Sequence, residues 1–223
     1  MRAIVVIPAL NEASRIGEVV AAVRPYVERV IVVDDGSTDD TGRVAAAEGA
    51  TVIRHALNRG QGAALKTGTL AAIQMDGCAI VHLDADGQHD PSCIPALADP
   101  IRRGEADVVF GSRFLGIAPR GMPAVRRAYF IAARLFNTFL LGIPRKITDP
   151  QSGARAFSKA AAQAIDFRQD GAAHCSEILR MVTRSGLRYQ EVPVLVRYTK
   201  ETLQKGHRFT VAFRILWQLI VRH

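Results

Sequence analysis

Four β-branched runs of strand length, AIVVIPA at 3–9, RVIVVDD at 29–35, TVIRH at 51–55 and AIVHLD at 79–84, are separated by segments with helical patterning. This alternation narrows the fold more than any other feature of the chain. Strands joined through helices pair in parallel, and a parallel sheet must be covered on both faces. The predicted architecture is therefore α/β, with a largely parallel central sheet between two helical layers. A fifth run, DVVFGS, follows at 107–112. The chain of 223 residues has no low-complexity linker and no internal repeat, so it is read as one domain over 1–223. STDD at 37–40 has capping-box-like spacing and predicts a helix start at Ser37. A long helix is expected at about 124–141, with Val125, Tyr129, Phe136 and Leu140 along one side.

Ligands of an open parallel sheet bind outside the carboxyl ends of its strands. Those ends are polar here: PALNE after the first strand, DDGS after the second, DADGQ after the fourth and GSR after the fifth. Each has a bland reading, in which Asn11 caps a helix or Asp34 and Asp35 form a turn. Their coincidence on one rim marks a site. Dinucleotide binding is disfavoured, because G-x-G-x-x-G is missing after the first strand. The stretch NRGQGAALKTG at 58–68 also lacks the G-K-[ST] core of a phosphate loop, since Leu65 precedes Lys66. Gly60 and Gly62 are expected to turn the backbone tightly, bringing this loop and Lys66 toward a ligand.

Asp84 and Asp86 leave the fourth strand one residue apart. Two converging carboxylates repel unless a divalent cation neutralises them, and Mg²⁺ or Mn²⁺ takes such oxygens, commonly together with substrate phosphates. Charge along the chain supports an anionic partner. Residues 1–107 carry ten Lys/Arg against fifteen Asp/Glu, whereas 108–223 carry nineteen against six. No acid falls between Asp107 and Asp149, a stretch holding Arg113, Arg120, Arg126, Arg127, Arg134, Arg145 and Lys146. Nucleic acid, an anionic membrane and a phosphorylated substrate all fit such a block. A nucleic-acid module would explain only the basic half, since aromatics are 6% and no recognised binding motif is present.

Taken in order, PALNE, VVDDGSTDDT, NRGQGAALKTG, LDADGQHDP, GSR and DPQSGARAF closely resemble the motifs of family 2 glycosyltransferases of the GT-A fold. The nearest branch is the dolichyl- or polyprenyl-phosphate mannosyl- and glucosyltransferases, and the likeness covers roughly residues 3–198. The resemblance implies a Rossmann-like, mostly parallel sheet and a nucleoside-diphosphate sugar donor of GDP-mannose or UDP-glucose type. Pro8, Leu10, Asn11 and Glu12 match the first nucleotide-contacting loop. Asp35, flanked by Asp34 and Gly36, matches an acid that contacts base or ribose. Asp84, Ala85 and Asp86 match the sugar-nucleotide and metal motif, with Gln88 as a third metal-side ligand. Arg113 and Arg127 match arginines that hold acceptor phosphate and, with Asp86, form the implied catalytic set. One departure stands out: RRAYFIAAR lacks the serine that often follows the second arginine by one turn. A sugar-nucleotide pyrophosphorylase, the nearer enzymatic rival, would need an N-terminal glycine-rich loop missing here.

The implied organisation is a donor and metal half at 1–112, an acceptor half at 113–200 and a terminal apolar and basic helix at 205–223 suited to a membrane interface. A phosphate acceptor is already anionic and attacks without a general base, inverting the anomeric centre. A sugar-hydroxyl acceptor, as in cell-wall or polysaccharide synthesis, needs a base, for which Asp149 and Glu177 are the candidates. His89 and His174 are read as packing or capping residues. With no transmembrane run and no secretory leader, the expected location is the cytoplasmic face of the membrane, held peripherally or through a separate anchor subunit. Cys78, Cys93 and Cys175 are read as free thiols.

Overall fold

The computed structural model describes residues 3–116, 146–171 and 173–197, with Thr138, Gly142 and Pro144 between them. The helix expected at about 124–141, Arg127 and the segment 205–223 lie outside the described residues. The order along the chain is β1 (Ala3–Ala9), α1 (Ile16–Val23), β2 (Arg29–Asp34), α2 (Thr41–Ala47), β3 (Thr51–Arg54), α3 (Gln61–Gln74), β4 (Ala79–His82), α4 (Cys93–Arg102) and β5 (Val108–Ser112). It continues with β6 (Arg155–Ser158), α5 (Lys159–Ala164), α6 (His174–Arg184) and β7 (Tyr189–Pro193). The strands form a single seven-stranded sheet in the order β3-β2-β1-β4-β6-β5-β7.

Period-two alternation along β1 builds both cores at once. Val5 and Ile7 face a cluster with Ile16 and Val20 of α1 and Ile94 and Leu97 of α4. Ile4 and Val6 face the other, with Leu65 and Ala72 of α3 and Ile178 and Val182 of α6. A strand buried on both faces reads as a continuous apolar run, which is why the first two strands are so plain in the sequence.

The sheet departs from the expectation at β6, which enters between β4 and β5 antiparallel to both. The other four pairings are parallel. Four residues, RAFS, are too short to display a strand period, and only their partners define them. A second correction concerns α2. The helix starts at Thr41 after Asp40, whose side chain does not cap it, and Asp39 Oδ1 accepts from Thr41 N at 3.0 Å. Ser37 instead donates its backbone N–H to Asp34 Oδ1 at 2.8 Å, inside the preceding turn.

Strand β6 also carries Arg155, which is 1% exposed. Its Nη2 lies 3.1 Å from Cys175 Sγ and 3.3 Å from His174 Nε2, at the first turn of α6. Burial opposes a thiolate, but the neighbouring His174 and Arg155 outweigh it and bring the Cys175 thiol down to about 6 from an ordinary 9.0. A depressed pKa stabilises the fold fully above the unfolded value and loses that contribution as pH falls through the folded one. Cys175→Ser should therefore cost more stability at pH 9 than at pH 6, as read from urea unfolding midpoints. An equal cost at both would mean that the thiolate is not the form that pairs with Arg155.

Candidate functional site

The chain runs outward from β1 through β2 to β3, then returns to β4 on the other side of β1. This is the reversal at which an open α/β sheet places its ligand crevice. A cleft of about 480 Å³ lies there, within the range of small-molecule sites. Its walls come from Pro8 near the end of β1, Leu10 and Glu12 after it, Asp35 after β2, and Asp84, Ala85 and Asp86 after β4. Asn58, Gly60 and Gln61, leading into α3, complete it.

Several residues expected in contact with the donor also hold the cleft's loops together. Asn11 takes a left-handed conformation, φ 53°, and its side-chain oxygen accepts from Thr38 N at 2.9 Å. Its own N–H donates to Ser37 Oγ, so it staples the β1 loop to the β2 loop. Asp34 is fully buried and turned toward Ser37 and Arg54, the latter at 3.5 Å. Gly36 has φ 76°, and a Cβ there would meet Asn58 N at 2.8 Å, so the loop after β3 can close only over a glycine. Lys66 stands apart from this lining, its Nζ paired with Asp166 at 2.5 Å.

Asp35 is the hub of the wall formed by the loops after β2 and β3. Its Oδ1 accepts from Arg59 N at 2.9 Å and faces His55 Nδ1 at 2.7 Å, while Oδ2 accepts from Gly60 N at 2.7 Å. His55 Nε2 in turn lies 2.9 Å from Thr67 Oγ1 of α3. The carboxylate thus fixes the β3–α3 loop before any ligand arrives.

At the cleft floor Asp84 Oδ1 accepts from Gln61 Nε2 at 2.7 Å, and its Oδ2 lies 3.7 Å from His89 Nε2. Asp86 accepts from the backbone N–H of Gln88 at 3.0 Å and from Gln88 Nε2 at 2.6 Å. Burial and then the charge of Asp84 raise the Asp86 carboxyl. Burial works against Asp84 too, but His89 and the more distant Arg155 and His174 hold its pKa below the ordinary value. Asp84 also lies flush against Gly153, where a Cβ would fall 2.1 Å from Oδ2.

Among the described residues no three His, Cys, Asp or Glu side chains form a ready metal cage. The pair still suits a cation that completes its shell with substrate oxygens, as Mg²⁺ does. Two facing carboxylates, one with a raised pKa and both held by neutral amide donors, are the donor set such an ion would relieve.

The residues expected on the acceptor side are tied into the fold. Arg113, just past β5, donates Nε to Asp149 Oδ2 at 2.5 Å, and both side chains are buried. Glu191 of β7 accepts from the backbone of Thr148 and Asp149, holding that loop at the sheet end. Asp149 Oδ1 is buried without a hydrogen-bond partner. Glu177, the other candidate base, accepts from Arg168 N and Gln169 N at 2.8–3.1 Å. That loop presses on α3, where Gly62 N donates to Asp170 O at 2.7 Å and a Cβ on Gly62 would meet Gln169 O at 2.0 Å.

The profile of Glycosyl transferase family 2 matches residues 4–166. The chain belongs to glycosyltransferase family 2. It is 31% identical to a UDP-N-acetylglucosamine–dolichyl-phosphate N-acetylglucosaminyltransferase of Methanococcus voltae, over 97% of this chain and 94% of the relative. It is 32% identical to an undecaprenyl-phosphate mannosyltransferase of Micrococcus luteus, over 87% and 83%. Among solved structures, glucosyl-3-phosphoglycerate synthase of Mycobacterium tuberculosis, crystallised with Mn²⁺ and UDP-glucose, superposes with a TM-score of 0.75 at 25% identity, covering 98% of this chain and 76% of that one. These likenesses agree with the observed sheet and give the fold as GT-A.

Three residues of this glycosyltransferase escaped the motif reading. His55 and Gln61 act through side-chain partners 12 to 23 positions away, which no local spacing discloses. Gly153 stands inside the recognised DPQSGARAF motif, yet its contact with Asp84 appears only once β6 pairs with β4. Gly153→Ala would push Asp84 out of place, and displacements of about an ångström at a reacting centre cost on the order of a hundredfold. Sugar transfer by the purified variant should fall by about that factor while circular dichroism shows the fold retained. Wild-type turnover would remove Asp84 placement as the reason for a glycine here.

Proposed function

We propose that this enzyme transfers a hexose from a nucleoside-diphosphate sugar to a polyprenyl phosphate, with inversion and with a divalent cation, at a membrane surface. The observation that carries the reading is the pair Asp84 and Asp86 at the floor of a cleft sized for a sugar nucleotide. Asp84 and Asp86, with Gln88 beside them, would hold Mg²⁺ or Mn²⁺. When bound, the ion supplies positive charge for the leaving diphosphate. The relatives support both substrates by name, one acting with a UDP-sugar on dolichyl phosphate and another on undecaprenyl phosphate.

The choice of a phosphate acceptor rests on what the candidate bases are already doing. Glu177 is spent on two backbone N–H groups, and Asp149 on Arg113. Breaking a buried ion pair leaves the partner's charge uncompensated and costs about 3–5 kcal/mol. An acceptor that arrives as an anion needs neither. The chain then has to position two anionic substrates and screen their repulsion, which is electrostatic and orienting work. Arg113 anchors the acceptor side in this reading, Arg127 joins it, and residues 1–112 and 113–200 divide donor from acceptor. The segment 205–223 lies on the membrane surface. None of the described helices is long and apolar enough to cross a bilayer.

Calorimetric titration with UDP and with GDP, each with Mn²⁺ and with chelator, tests the donor site directly. One nucleotide should bind in the presence of metal, and Asp86→Ala should weaken that binding by about tenfold or more. No binding of either nucleotide would refute the reading. For the acceptor, Glu177→Gln should keep transfer to a polyprenyl phosphate within a few-fold of wild type and leave the pH–rate profile unchanged, while lowering stability by about 1 kcal/mol through a lost backbone contact. Loss of turnover with the fold intact would make Glu177 a base and the acceptor a hydroxyl.

A further inference from the structure

The state of Asp35 bears on which base the cleft accepts, and this inference rests on the reading of the cleft as a nucleotide site. A carboxylate oxygen has two acceptor positions. Both positions of Asp35 Oδ1 are taken, by Arg59 N at 2.9 Å and His55 Nδ1 at 2.7 Å. One position of Oδ2 is taken by Gly60 N at 2.7 Å. Asp35 is 3% exposed yet lines the cleft, so one acceptor position remains for a ligand.

Bases differ in how many donors they present side by side. Guanine offers N1–H next to its N2 amine, and a carboxylate reads that pair with both oxygens. Uracil offers N3–H alone, flanked by two carbonyls. A carboxylate with one oxygen filled suits the second pattern and leaves a guanine donor unmatched. Asn58 lines the same cleft and carries an amide whose N–H groups suit an adjacent carbonyl of uracil. Turned over, the same amide gives guanine a neutral acceptor, so the discrimination expected is about tenfold rather than absolute.

We propose that His55, by filling Asp35 Oδ1, makes the cleft select a uracil nucleotide over a guanine nucleotide. His55 never touches the base. It is a positioning residue, fixed at its far nitrogen by Thr67 Oγ1 of α3. Its backbone N–H is also bound, to Asp34 O at 2.9 Å, which fixes the main chain that carries the ring.

Calorimetry on the whole protein with Mn²⁺ and UDP, GDP or N3-methyl-UDP tests this. The wild type should bind UDP about tenfold more tightly than GDP and about tenfold more tightly than N3-methyl-UDP. His55→Leu frees Oδ1 and should collapse the UDP-to-GDP ratio toward one. His55→Asn, whose amide nitrogen stands near the place of Nδ1, should restore it. Equal or tighter binding of GDP by the wild type overturns the inference and leaves the proposed function standing. An unchanged ratio in His55→Leu overturns the role of His55. Should His55→Leu not fold, the methylated nucleotide decides alone: binding equal to that of UDP shows that N3–H is not read and overturns the inference. Failure of both UDP and GDP to bind removes the nucleotide site itself.

Discussion

A carboxylate taken out of water must find donors, and that requirement organises the carboxyl rim of this sheet. Asp35 gathers the N–H groups of Arg59 and Gly60, Asp34 that of Ser37, and Asp86 that of Gln88. Each acid thereby fixes the loop that follows a strand. The rim becomes rigid at the places where a ligand would touch it, and the loops need no packing of their own to hold their shape. Glu177 and Glu191 do the same one layer out, tying the 168–169 and 148–149 backbones to α6 and β7.

How much of this could be read in advance follows from the range of the interactions. The apolar runs of β1 and β2 are buried on both faces and announced themselves, and so did the polar endings that form the cleft. Strand β6 did not, because four residues carry no period and its place depends on pairing with β4, more than seventy positions earlier. The capping-box spacing at Ser37 misled for a related reason. Ser37 and Asp40 sit three apart as a cap requires, but Asp34 competes for the Ser37 N–H and wins it within a tight turn. Motif order located Asp84 and Asp86, while the parts that place them, Gln61 and Gly153, come from elements that only the fold brings together.

The acids at two strand ends show how spacing separates structural from functional carboxylates. Asp34 and Asp35 are adjacent, and in extended chain neighbours point to opposite faces. Asp34, the last residue of β2, is the one turned inward, toward Ser37 and Arg54. Asp35 is left facing the cleft. Asp84 and Asp86 stand two apart beyond the end of β4, where the chain enters a turn at 85–86, and both line the cleft. That arrangement carries a cost, since burial and then the charge of Asp84 raise the Asp86 carboxyl. A fold built only for stability would place an apolar or amide side chain at one of the two positions, as it places Gln61 and Gln88 around them. Keeping both acids is intelligible when the cleft is completed by positive charge from outside the chain.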